Sequence, residues 1–186
     1  MLKSRNICQI VIFFLLFYCC DLRNTFAHEG HDHSYHATPL TIKPSTYTHF
    51  KSILLVYQEV YGNLTQGQLN SIPVLAKKLY HITAKGIQTE SKGAGRHMMD
   101  HILKGGQKLR QAEDLQEMQE AFAIISDALI PFFKPWPNQL KSNKIKLYQC
   151  KEHGHYWLQP QDFSLVCPYV SIKSSNCTDV EEVENK

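Results

Sequence analysis

The chain has 186 residues, 43% of them hydrophobic, and a formal net charge of +3. Lys3, Arg5 and Arg23 all sit in the first two dozen residues, so the remainder is close to neutral and no basic stripe survives there. Nucleic acid is therefore excluded as an expected partner, and the size fits one domain with a sizeable core.

The first segment reads as an export signal. Lys3 and Arg5 precede an apolar run from Ile7 to Cys20, and Asn24-Thr25-Phe26-Ala27 closes it on a small residue. The run is too short to span a bilayer comfortably, and Asp21 and Arg23 soon interrupt it. The expectation is cleavage near Ala27 and a periplasmic or secreted protein; a retained N-terminal anchor is the lesser alternative. Immediately after come His28-Glu29-Gly30-His31-Asp32-His33-Ser34-Tyr35-His36. Neutral imidazole is the commonest side-chain ligand for zinc, copper, nickel and cobalt. His28, His31, His33 and His36 are thus candidate metal donors on an arm expected over 28–45, which lacks periodicity and holds Pro39 and Pro44. The plain alternative is a solvated polar arm.

Helical pattern begins near 46. Ser45 or Thr46 can cap, and Phe50, Ile53, Leu54, Tyr57, Val60 and Tyr61 share one face, with an end expected at Gly62-Asn63. A second helix from Leu69 carries Ile72, Leu75, Leu79 and Ile82 on its stripe, with Pro73 in the first turn and Gly86 as its stop. Residues 86–95, with three glycines, read as a loop. His97–Lys104 reads as a short helix broken at Gly105-Gly106. The strongest periodicity runs from Gln107 to Phe133 through Leu115, Met118, Phe122, Ile125 and Leu129. Pro135-Trp136-Pro137 ends it, and Trp136 is placed over a seam.

Beyond 137 the pattern changes to short alternating strands, Lys144–Tyr148 and His155–Leu158, joined at Gly154. The expected fold is mainly α: an antiparallel three- or four-helix bundle over 46–137, a small Cys/His-bearing β lobe over 138–180, and a frayed charged tail over 181–186.

Two further constellations carry candidate chemistry. Cys150-Lys151-Glu152-His153 has the C-x2-H spacing that lets a tight turn grip one ion, with His155, Cys167 and Cys177 available to complete a set. Of the six cysteines, Cys8, Cys19 and Cys20 are expected to leave with the signal, and the three that remain cannot all pair within one chain in an oxidising compartment. The lobe therefore reads equally as a metal site or as one structural disulfide with a spare thiol. His97 and His101, four apart, share a helical face, but Met98 stands where a zinc hydrolase needs its glutamate base. With no phosphate loop, nucleophile elbow or dinucleotide fingerprint, the chain is not expected to be an enzyme.

Gln119-Glu120-Ala121-Phe122, with Ser126 and Leu129, resembles a helix of a bacterial exported helical domain of unknown function. That domain occurs alone or appended to periplasmic adaptor subunits of heavy-metal efflux systems. Its C-terminal signature is similar to Tyr148-Gln149-Cys150, Trp157-Leu158, Pro168-Tyr169 and Cys177 here, over roughly 46–180. The Pro-Met that follows the family's first Cys is replaced by Lys151-Glu152, with His153 as the substitute donor. The resemblance implies a helical bundle, a link to efflux, and Cys150 and Cys177 as candidate ligands. The combined expectation is an exported metal-binding accessory protein for zinc, copper, cobalt or nickel, partnered by an efflux adaptor or membrane transporter. The alternative is a helical interaction module on such a partner, with the cysteines as a staple.

Overall fold

The structure is a computed structural model and describes residues 40, 42–132, 144–151, 153–170 and 180–182, the last three as backbone. The signal segment, His28, His31, His33 and His36, Pro135-Trp136-Pro137 and Cys177 lie outside the described residues. Four helices come in chain order: α1 (Pro44–Gln66), α2 (Ile72–Thr89), α3 (Ala94–Gln111) and α4 (Leu115–Leu129). Single 3-10 turns, Leu69–Ser71 and Ile130–Phe132, precede α2 and follow α4. A three-stranded antiparallel sheet follows, ordered β2 (His155–Pro160), β1 (Ile145–Cys150), β3 (Val180–Glu182). The molecule is a mainly helical bundle with a small β lobe, and among the described residues no helix is long and apolar enough to cross a membrane.

The apolar stripes find their places. Phe50, Ile53, Leu54, Tyr57, Val60 and Tyr61 of α1 are buried, as are Met118, Phe122, Ile125 and Leu129 of α4. The Tyr57 and Phe122 rings stack at 4.7 Å, and Phe50 meets Phe132 at 4.3 Å. Burying such rings is the largest single apolar gain a core residue makes.

The helix ends differ from those expected. Gly62-Asn63 does not stop α1; the helix runs on to Gly67, whose φ of 72° supplies the left-handed cap. Neither Ser45 nor Thr46 caps it. Pro44 sits in its first turn and Glu90, from beyond α2, accepts from the Lys43 amide at 2.9 Å. Gly86 lies inside α2 and is buried; a Cβ there would stand 3.1 Å from His49 Cβ of α1 and 2.6 Å from the flexible tip of Met99. Gly105-Gly106 is no break either. α3 is continuous through both, and a Cβ on Gly105 would stand 2.6 Å from Ile125 Cγ1. Gly86 and Gly105 allow close helix approach rather than marking a turn.

The long periodic segment divides where the stripe gave no warning. Asp114 caps α4, its Oδ1 accepting from the Glu117 amide at 2.8 Å, while Glu117 Oε2 accepts from the Glu113 amide at 2.8 Å. Reciprocal capping of this kind defines a new helix start. Two edges of the fold are also tighter than expected. Ile42 is buried in the core although it falls in the arm, and Glu181 and Glu182, expected to begin a frayed tail, continue from Val180 a strand paired with β1.

Candidate metal centre

Sequence-local geometry builds the first half of the site. β1 ends at Cys150, and the chain reverses through a turn to β2, with Gly154 at φ 69° making the reversal possible. The turn carries His153 back over the strand end, so its Nδ1 lies 3.0 Å from Cys150 Sγ. Cys150 is fully buried and His153 is exposed.

Cys167 arrives from the loop after β2, and the bundle fixes that loop. The Tyr61 hydroxyl donates to the Val166 carbonyl at 2.9 Å, on one flank of Cys167. On the other flank the Gln119 amide of α4 donates to the carbonyls of Pro168 and Val170, each at 3.0 Å. Buried Gln159 holds the loop's earlier turn, donating to the carbonyls of Phe163 and Ser164 at 2.9 and 3.1 Å. The single hydroxyl proton of Tyr61 is shared between the Val166 carbonyl and Gln159 Oε1 at 2.6 Å, and Oε1 also accepts from Trp157 Nε1 at 3.2 Å, so this buried amide is satisfied at both ends.

The result is a group of three donors. Cys150 Sγ, Cys167 Sγ and a His153 ring nitrogen lie within 4.8 Å of one another, two of the residues buried and one exposed. Around a tetrahedral zinc with Zn–S of about 2.3 Å, two sulfurs stand about 3.8 Å apart. The 4.8 Å limit on the three donors is compatible with that spacing, so together they could hold one metal ion, with His153 at the solvent side. Cys150 is disulfide-bonded in this structure, and Cys167 is a buried thiol outside any disulfide. A disulfide sulfur is not a thiolate, so the geometry describes a site that needs reduction before both sulfurs can ligate.

A second polar chain seals the lobe onto the bundle. The outer edge of β2 presents Leu158 N–H to the Tyr57 hydroxyl at 3.1 Å, and Tyr57 meets Ser126 Oγ at 2.7 Å. Tyr169 donates to the Tyr156 carbonyl at 2.8 Å and lies 3.2 Å from Ser126 Oγ. Burial pushes the phenols of Tyr57, Tyr61 and Tyr169 above the usual tyrosine range.

Of the other candidate donors, His155 faces Cys150 across the β1–β2 ladder and packs its ring 4.9 Å from Tyr169; it is not part of the three-donor group. His97 and His101 form a pair of their own on α3, with Nε2 atoms 3.1 Å apart. Sequence reasoning did not single out Gln159 or the role of Tyr61. A glutamine two residues beyond Trp157, after Leu158 in a partly apolar strand, was the available signal, since a polar side chain there must find buried partners. No family model, curated protein or solved structure matches this chain.

Proposed function

We propose that this chain is an exported transition-metal-binding accessory protein of heavy-metal homeostasis, holding one ion in its C-terminal lobe for a membrane efflux partner or its adaptor. The observation that carries the reading is the convergence of Cys150, His153 and Cys167 within 4.8 Å. Two sulfurs and an imidazole suit zinc, cobalt or copper(I) better than a hard cation. Cys177, a candidate ligand by the resemblance and outside the described residues, is proposed as the fourth donor. The sequence features at the N-terminus support export, and the histidines at 28–36 supply a second, weaker set of donors. The disulfide at Cys150 makes loading conditional on reduction.

Cobalt(II) titration of the reduced full chain tests the lobe separately from the arm, because imidazoles give no thiolate charge-transfer band. One Co(II) per chain with that band, displaced by Zn(II), is expected. Cys150→Ser and Cys167→Ser should each weaken binding at least tenfold, in keeping with the loss of a thiolate ligand. A reduced protein that shows no such band sinks the reading.

A second reading has one observation in its favour. With Cys150 in a disulfide, the lobe can be a stapled part of a module that docks on a membrane transport partner. Phe163, Leu165 and Val166 are exposed together on the loop beside Cys167. Native protein that keeps its disulfide and retains no metal favours this alternative.

A further inference from the structure

We propose a second metal site on α3, away from the cysteines: a bidentate chelate for a divalent transition ion made by His97 and His101. The two residues are four apart on a helix, so their side chains rise from one face. Their Nε2 atoms approach to 3.1 Å, with ring centroids 4.6 Å apart and planes crossing at 77°.

The distance is the chief argument. An ion bound by two imidazoles at about 2.0–2.1 Å spaces the nitrogens about 2.9 Å apart at a right angle and about 3.4 Å apart at the tetrahedral angle. The observed 3.1 Å lies between these. The backbone has thus already set the bite of a chelate, and the metal replaces the single proton that two neutral rings can share at this separation. His97 is exposed and His101 half-buried, so an ion can reach them from solvent, and turns about the soft ring torsions aim both lone pairs at it.

The ligand class follows from the donors. Two neutral imidazoles suit Ni(II), Cu(II) and Zn(II). Two imidazoles fill only part of such an ion's coordination shell, and the remaining positions are open to water or to the donor of another molecule. Such a site exchanges quickly. It is suited to passing an ion on, whereas a closed four-ligand site keeps one.

The site does not depend on the cysteine lobe and is tested with the disulfide intact. The probe is Ni(II), titrated into the full chain under non-reducing conditions, with His28→Asn, His31→Asn, His33→Asn and His36→Asn removing the arm's donors. One Ni(II) per chain is expected, with paramagnetic broadening of the ring-proton signals of His97 and His101. His97→Ala and His101→Ala should each lower the affinity at least tenfold, and His81→Ala, an exposed histidine on α2, should leave it unchanged. Both test positions are on a helix surface where alanine is well tolerated, and circular dichroism checks that the variants fold. Unaltered affinity in both single variants, or broadening confined to other histidines, overturns the proposal.

Discussion

At the scale of single residues, the buried hydroxyl of Tyr57 has more partners than its ring suggests. It accepts from the Leu158 amide, meets Ser126, and stands where α1, α4 and β2 come together. Tyr57→Phe keeps the ring against Phe122 but leaves a buried amide without its acceptor. Leaving such a donor unsatisfied costs about 1–3 kcal/mol. Urea denaturation of the variant should show a loss in that range with an unchanged slope, since the surface exposed on unfolding stays the same. Gln159 belongs to the same class: its two buried ends are each bonded twice, and the Cys167 loop takes its shape from them.

At the scale of elements, the glycines separate two roles that a sequence presents alike. Gly105 faces Ile125 at a distance where a Cβ does not fit, whereas the nearest atom to a Cβ on Gly106 would be 3.6 Å away, an ordinary contact. Gly105→Ala should therefore destabilise by about 1–2 kcal/mol, overpacking exceeding the gain in helix propensity. Gly106→Ala should be neutral or stabilise by up to about 1 kcal/mol. Thermal melts of the two variants should move in opposite directions or differ clearly. The same positions show how far the sequence is legible. Stripes such as Phe50, Ile53, Tyr57 and Tyr61 state which face is buried, because apolar spacing is a direct record of burial. They do not say where a helix stops. That depended on Gly67 reaching a left-handed conformation, on the carboxylates of Asp114 and Glu117 accepting from the amides of Glu117 and Glu113, and on Gly86 and Gly105 lying close to neighbouring helices. The C-x2-H turn was readable because its donors are local, and so was Cys167 as a member of the set. The bonds that tie the Cys167 loop to the bundle reach far along the sequence, about a hundred residues from Tyr61 to Gln159 and Val166 and about fifty from Gln119 to Pro168 and Val170, and no local pattern reports such pairings.

At the scale of the whole molecule, three buried phenols set an alkaline limit. Tyr57, Tyr61 and Tyr169 keep their protons in the fold well past the point where an exposed tyrosine would lose them. Folded-state values above the unfolded one give stability that is complete below about pH 10 and is lost as pH rises beyond it. Each such group contributes a slope of about 1.4 kcal/mol per pH unit, so the three together give at most about 4 kcal/mol per unit. Ultraviolet titration should show these tyrosines ionising together with loss of the circular dichroism signal. A gradual ionisation with the fold intact would contradict it. At the acid end Glu90 acts in the opposite sense. Burial raises its carboxyl, but hydrogen bonds from Lys43, Thr46 and Ser91 outweigh this and hold it below the usual range, so the clamp on the start of α1 weakens as pH falls through its titration.

The tyrosines that close the outer side of β2 also decide how the lobe can meet other proteins. With Leu158 N–H and the Tyr156 carbonyl already taken by Tyr57 and Tyr169, that margin has no main-chain ladder to offer there. Strand addition is closed at these positions of β2, and the sheet's other margin is β3.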